Sequence, residues 1–458
     1  MATAHSVVSG SPSPLNSRRR FLQTAASAVA APFILPSGSY SKPLNSMLQV
    51  ANIGVDGMGF ADLKNIGNHP KAKLVAFCDI DSNRFEKADK EYPGVPHYVD
   101  YMQMLEQLGD KVDAVSVSTP DHAHARASIE AMKRGKHVYC QKPLAHTVWE
   151  CRQMRLWADK TGVITQMGNQ IHSNLEYRLA VRLLREGAIG KVKEIHSWVG
   201  VDGRERTDYL DRPAKEKETA PPPNVDWNLW LGAAPERPYV ADAYHPFVWR
   251  DWQVFGSGAL GDFGCHIFDP LFTALELTAP VSIRAEHDGI NGEIWPGPER
   301  VHYVFPGTKF TVGNTLKITW YDGKLQPAKE LAQMPETLNL PKAGSLVIGE
   351  LGNAVIPHVA GPRLYPLEKF QTFAYPRDVT GTPHWHVWIN HIFEGTRTDG
   401  GFHYAGPLAE AVQLGNVAAR FPGETMEWNT ETMKIAGKPA AEALLSKTYR
   451  KGFEVSPA

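Results

Sequence analysis

The stretch VANIGVDGMGF, Val50 to Phe60, decides the fold. An apolar run with the character of a buried strand ends in a group of glycines, and the residues after it, ADLKNIGNHP, have helical spacing and stop at a proline. Strand, tight turn and helix in this order make the loop on which a dinucleotide pyrophosphate rests. In the pattern G-x-G-x-x-G the first glycine makes the turn, the second lets backbone approach the phosphates, and the third lets helix and strand pack closely. Gly54 and Gly59 hold the outer places here, and Asp56 holds the middle one. A carboxylate there adds bulk and charge, and two unit charges ~5 Å apart repel by roughly 3 kcal/mol at an effective dielectric of 20. The sequence therefore predicts a weakened phosphate contact, relieved if Gly57 and Met58 bring the backbone in one residue later.

Working outward, KLVAFCDID reads as a second buried strand that ends in Asp79, 20 residues beyond Gly59. An acid at that point accepts hydrogen bonds from the adenosine ribose hydroxyls and repels a 2′-phosphate, which favours NAD over NADP. VDAVSVSTP and KHVYCQKP are further β-rich runs, separated by the amphipathic helix ARASIEAMKRG. This alternation predicts a parallel, doubly wound Rossmann sheet over residues 47–168. Beyond Gly168 a helix in YRLAVRLLREG is followed by strands at VKEIHSWVG, VSIRAEHDG, RVHYVFP and LKITWYDG, with long Pro/Gly-rich loops between them. Strand following strand predicts an α+β domain with a largely antiparallel open sheet over 169–458, whose open face suits self-association into a homo-oligomer. PAKEKETAPPPNVDWNLW reads as a proline-rich surface excursion.

Composition excludes several classes. The chain has 458 residues, 43% apolar and 21% charged, with a formal charge of −1, which leaves no overall pull on nucleic acid. The dense basic run SRRRFLQ, Ser17 to Gln23, precedes a short apolar stretch and small residues near Ala28 and Ala30. It fits a twin-arginine export signal, so residues 1–46 are expected to be signal and linker, and the mature chain periplasmic or otherwise exported, without membrane insertion. The four cysteines, Cys78, Cys140, Cys151 and Cys265, show no metal or disulfide spacing. No metal is expected.

Lys142 lies just past an apolar strand, with Pro143 turning the chain out of the sheet at the edge where such sheets bind ligands. Asp262 and His266, four apart in GALGDFGCHIFDP, share one face of a helix and suit general-base work, and Asp269 continues that face. HWHVWINH, His384 to His391, reads as an amphipathic helix with aromatic packing, since no acidic or cysteine partners accompany it.

The set IGVDGMGF, FCDID, STPDHAHA, QKPLAHTVWE, TQMGNQ, GDFGCHIFDP and FHYAGPLAEAVQLGNVA resembles the glucose–fructose oxidoreductase, inositol dehydrogenase and MocA family across nearly everything after the signal. The resemblance implies that Lys142, Asp262 and His266 act on a sugar or cyclitol carbon beside the nicotinamide of NAD. It places Thr119, Pro120 and His122 near the nicotinamide ribose and Asn169 on the substrate side. The family's E-K-P motif reads Gln141-Lys142-Pro143 here, so a carboxylate that would support the Lys142 ammonium is missing. Trp249 and Arg250, with Trp227, Trp230 and Trp252 nearby, offer flat faces and donors of the kind that hold sugars. Three readings stay open. The first is a sugar or cyclitol oxidoreductase with a tightly bound cofactor, the second a glycoside-cleaving enzyme using transient oxidation and elimination, and the third a non-catalytic binding protein of the same fold.

Overall fold

The computed structural model describes residues 46–200 and 218–458, so the twin-arginine stretch lies outside the described residues. β1 (Leu48–Ile53) is buried along nearly its whole length, as a strand covered on both faces must be. It pairs in parallel with β2 (Ala72–Cys78) on one side and β4 (Ala114–Val117) on the other. With β3 (His97–Tyr98), β5 (His137–Gln141) and β6 (Thr165–Gly168) the six strands run in the order β3-β2-β1-β4-β5-β6, every pair parallel. The order reverses between β1 and β4, which opens a crevice at the C-terminal strand ends. Five helices connect these strands: α1 (Met58–Gly67), α2 (Phe85–Glu91), α3 (Tyr101–Leu108), α4 (Asp121–Lys133) and α5 (Val148–Thr161). The start of α5 is fixed by Thr147 and Glu150, which cap each other's backbone.

After α6 (Leu175–Arg185) the texture changes as the sequence predicts. β7 (Val192–Val199), β8 (Ser282–His287), β9 (Glu299–Pro306) and β10 (Thr315–Tyr321) join β11 (Ala343–Gly349), β12 (Asn353–Pro357), β13 (Arg363–Tyr365), β14 (Thr425–Asn429) and β15 (Lys434–Ile435) in one sheet. Its order is β13-β12-β11-β7-β10-β9-β8-β14-β15, antiparallel apart from the β7–β10 pair. One face packs on two long helices, Gly258–Leu275 and Phe402–Ala419, through Phe268, Phe272, Leu408 and Val412. The other face is partly covered: Met334, Leu338 and Leu340 lie on Trp198, Leu346, Val355 and Tyr365.

The helix His384–Glu394 returns to the parallel sheet. Trp388, Ile389 and Ile392 pack with Val50, Ile66, Tyr139 and Ile164, each burying a side chain worth roughly 1.5–3 kcal/mol. A third cluster, Trp230, Tyr244, Trp249, Trp252 and Phe255, holds an aromatic segment around the short helix Trp227–Leu231. That segment is tied to the turn after β2, where Ser82 N–H donates to Asn224 O at 2.9 Å and Asp226 N–H donates to Ile80 O at 2.9 Å. No helix among the described residues is long and apolar enough to cross a membrane.

Candidate active site

A cleft of about 560 Å³ lies where the crevice of the parallel sheet meets the aromatic segment and the helix Gly258–Leu275. The glycine loop forms one wall through Gly54, Asp56, Gly57 and Met58. Gly54 has φ +81, and a Cβ there would lie 2.4 Å from the Ser118 carbonyl oxygen. A Cβ on Gly59 would come within 2.2 Å of the Gly54 carbonyl, so Gly59 serves the close packing of helix on strand. Gly57, at φ +57, has nothing within 4 Å of its absent Cβ, and its open side lets backbone reach a ligand one residue after Asp56.

Asp79 sits at the end of β2, with Oδ2 accepting from Val55 N–H and Oδ1 from Asp81 N–H, both at 3.1 Å. Burial pushes its carboxyl up to about 6. Two buried polar atoms on the cleft wall, Thr119 Oγ1 and Trp230 Nε1, have no hydrogen-bond partner among the described residues. Orphaned groups of this kind cost free energy unless a ligand satisfies them. A dinucleotide fits this lining: Gly57 and Met58 would hold its pyrophosphate and Asp79 its ribose hydroxyls.

Asp56 is not the unopposed charge that the sequence alone implies. Its Oδ2 accepts from Arg84 Nη1 at 3.0 Å and its Oδ1 from Lys87 Nζ at 2.8 Å. Burial works against its ionisation, but hydrogen bonds from Lys87, the Gly57 backbone and Arg84 hold the carboxyl down at about 2. Arg84 Nε also donates to Asp81 Oδ2 at 2.9 Å, and Asp81 in turn meets His245 Nε2 at 2.8 Å and Asn224 Nδ2 at 2.6 Å. The network Lys87, Asp56, Arg84, Asp81, His245 thus ties the glycine loop and the post-β2 turn to the aromatic segment. Asp56, Arg84 and His245 all border the cleft.

On the opposite wall, Lys142 emerges from the end of β5, and its Nζ donates to the Asp262 carbonyl at 2.9 Å while pairing with the Asp262 carboxylate. Asp262 therefore supplies the carboxylate that position 141 lacks. Gln141 has its own reason: its Nε2 donates to both oxygens of Asp62, at 3.1 and 2.8 Å. Asp62 is fully buried, and burial pushes it up to about 6 although Trp385, Ser118 and Gln141 all donate to it. A glutamate at 141 would set two carboxylates against each other in the core. His266 follows Asp262 by one helical turn and also lines the cleft. Its ring lies 5.6 Å from that of His358, and Phe263 packs edge-on to His358 at 5.9 Å.

Trp249 and Arg250 also border the cleft, the guanidinium lying over the Trp249 ring at 4.3 Å and the Phe247 ring at 4.5 Å. Thr119 and Pro120 also line it. Three expectations need correction. His122 is buried with its ring nitrogens on the carbonyls of Trp230 (2.9 Å) and Phe255 (3.3 Å), so it pins the aromatic segment rather than touching a cofactor. Asn169 does not border the cleft: its Nδ2 donates to Cys265 O at 3.0 Å and Asp269 Oδ1 at 3.2 Å. Asp269 stays on that helix face, but two turns beyond Asp262 it lies past the cleft and meets His172 Nδ1 (2.9 Å) and Tyr404 OH (2.8 Å) in a buried polar knot. The sequence reading missed Arg84, Asp121, Phe263 and His358 as cleft residues. An aspartate directly after STP, and an arginine shortly past a strand-ending acid, are signals that were available for the first two.

Residues 48–169 match an oxidoreductase family with an NAD-binding Rossmann fold, and residues 206–307 match the C-terminal alpha/beta domain of an oxidoreductase family. Over 159 residues the chain is 28% identical to levoglucosan dehydrogenase of Pseudarthrobacter phenanthrenivorans, covering 34% of this chain and 32% of that protein. It is 30% identical over 159 residues to a glycosyl hydrolase family 109 protein of Shewanella sp. strain W3-18-1, covering 33% of this chain and 34% of the relative. The match thus spans about one third of the length of these relatives. A solved structure, the WlbA dehydrogenase of Chromobactrium violaceum in complex with NADH and UDP-GlcNAcA, superposes with a TM-score of 0.58 at 18% identity, over 84% of this chain and 97% of that one. At that identity the likeness speaks for the fold. Residues 48–169 form an NAD-binding Rossmann domain, with NAD as its cofactor, and a mostly antiparallel alpha/beta domain follows it.

Proposed function

We propose that this chain oxidises a hydroxyl of a sugar, glycoside or cyclitol, with an NAD that stays bound, and that it works after twin-arginine export. One observation carries the reading: an ammonium from the end of β5, and a carboxylate and an imidazole from one helix face, border the same cleft as the glycine loop. Bound NAD supplies the hydride acceptor. Lys142, oriented by Asp262, donates to the hydroxyl oxygen and stabilises the negative charge that develops there as the adjacent C–H is lost. His266 receives the hydroxyl proton. Trp249 and the stacked Arg250 give a flat wall and a donor for a sugar ring. The clasp from Lys87 to His245 supports retention of the nucleotide, and outside the cytoplasm no free nicotinamide pool would replace one that left. A second carbonyl substrate must then return the bound nucleotide to its oxidised state.

A second reading, transient oxidation followed by loss of the aglycone and re-reduction, draws support from the likeness to glycosyl hydrolase family 109 proteins and from a second imidazole, His358, beside His266. Incubation with candidate glycosides in deuterated water separates the two. Oxidised sugar without ring deuterium supports the first reading, and ring deuterium with free aglycone and no net reduced nucleotide supports the second. A full panel of sugars and cyclitols left unchanged would refute both. Export is tested by changing Arg18 and Arg19 to Lys: a cofactor-bearing precursor trapped in the cell is expected, and undiminished export would contradict it.

A further inference from the structure

We infer that His358 is a specificity-determining residue that binds the hydroxyl next to the one being oxidised, so that the cleft selects vicinal diols. The inference rests on the proposed hydroxyl oxidation and adds the recognition of a neighbouring group.

His358 follows the end of β12 and borders the cleft from the antiparallel sheet, as Lys142 does from the parallel one. Its place is held at three points. Its backbone N–H donates to Ala343 O at 2.8 Å, its Nδ1 meets Tyr177 OH at 3.1 Å, and Phe263 packs against its ring. Tyr177 is itself almost wholly buried on α6, so the anchor is rigid. With Nδ1 engaged by Tyr177, the edge of the ring that is left for a ligand is Nε2. A hydroxyl suits that edge in either tautomer, because it can donate or accept.

The backbone supplies an independent sign. Val359 has φ 58, a left-handed conformation that a β-branched residue rarely adopts, and the residue is 59% exposed. Packing of that side chain does not repay the strain, which instead turns the chain directly behind the imidazole. Backbone strain of this kind collects at functional sites. Burial and the neighbouring Lys142 charge both hold the His358 imidazole below its usual range, so near neutral pH it is an uncharged hydrogen-bonding group. The rings of His266 and His358, 5.6 Å apart and tilted by 38°, stand side by side on the cleft wall. With His266 and Lys142 engaged on the reacting hydroxyl, His358 meets the next oxygen along the ring. An isolated alcohol would leave that imidazole edge desolvated and unmatched, which is how a site built for a hydroxyl rejects the analogue lacking it.

The test compares the best substrate from a panel of methyl glycosides and inositols with its monodeoxy analogues, using the full chain with its bound nucleotide. The wild type should prefer the intact diol over the vicinal deoxy analogue by roughly 100-fold or more in kcat/KM. His358→Leu should lower that ratio to about one by losing rate on the diol alone, His358→Gln should recover part of it, and Tyr177→Phe, which keeps the imidazole but frees it, should fall between. An unchanged ratio in His358→Leu and Tyr177→Phe, with oxidation intact, would overturn the inference while leaving the proposed function standing. A panel in which nothing is oxidised by the wild type would overturn the proposed function, and the inference with it.

Discussion

Replacing Asp56 with glycine restores the middle glycine of the phosphate loop, and sequence and structure disagree on the sign of its effect. From sequence alone, the change removes bulk and repulsion and should tighten NAD by about 1 to 3 kcal/mol. The structure reverses the sign. Asp56 holds Arg84 at 3.0 Å and Lys87 at 2.8 Å, so its charge is already neutralised and its side chain anchors the clasp that runs to Asp81 and His245. Lys87 is 62% exposed, which puts its pair at a few tenths of a kcal/mol, while the less exposed Arg84 pair contributes about 1 kcal/mol. Together they predict nucleotide release faster by roughly 5- to 10-fold in Asp56→Gly. The measurement is the off-rate of reduced nucleotide, followed by its fluorescence after dilution into excess oxidised nucleotide. Added salt should speed release from the wild type by screening the pairs and should change the variant little. Tighter retention in Asp56→Gly would refute the clasp and restore the repulsion argument.

Asp62 and Asp79 are both pushed up to about 6 by burial, so between about pH 4 and about pH 6 the folded chain binds more protons than the unfolded one and stability falls as pH rises. Asp62→Asn should remove about half of that slope, roughly 2 kcal/mol across the window, in urea titrations; an unaltered slope would show that the buried carboxyl does not titrate there. Asp269→Asn should cost roughly 3 kcal/mol of stability by breaking the knot with His172 and Tyr404, without altering the preference for one hydroxyl pattern over another; a specific loss of substrate discrimination would return Asp269 to the site. Trp230→Phe deletes an orphaned donor and shrinks a ring of the buried aromatic cluster, so it should weaken nucleotide binding by about 1 kcal/mol and lower the melting temperature; unchanged affinity would mean Nε1 does not serve the nucleotide.

The parallel sheet was legible because each of its longer strands is an apolar run that ends in a glycine, an acid or a proline, and because the helices between them keep one polar face. The helix Phe402–Ala419 was not, since it is buried almost all round between other elements and shows no polar stripe to set its period. β11 to β13 were missed for a related reason: glycines and prolines interrupt them, and β13 has only three residues. Lys142, Asp262 and His266 were found because chain-local patterns, a strand end and an i, i+4 pair, mark them. His358 reaches the cleft through tertiary pairing, which nothing local to HVA announces. Asn169, Asp269 and His122 show the opposite failure. They stand close to site residues in sequence, yet burial away from the cleft, in Asp269's case two helical turns along the same face, turns them into structural ties.

The most direct measurement uses a sugar or cyclitol substrate deuterated at the carbon that bears the reacting hydroxyl, the full chain with its bound nucleotide, and mass spectrometry of the nucleotide after denaturation. A single deuterium gained by the nicotinamide in the wild type, and none in a Lys142→Met variant that still carries the nucleotide, is the result predicted by hydride transfer in this cleft. Conversion of the sugar with an unlabelled nucleotide, or denatured protein that releases no nucleotide at all, would contradict it.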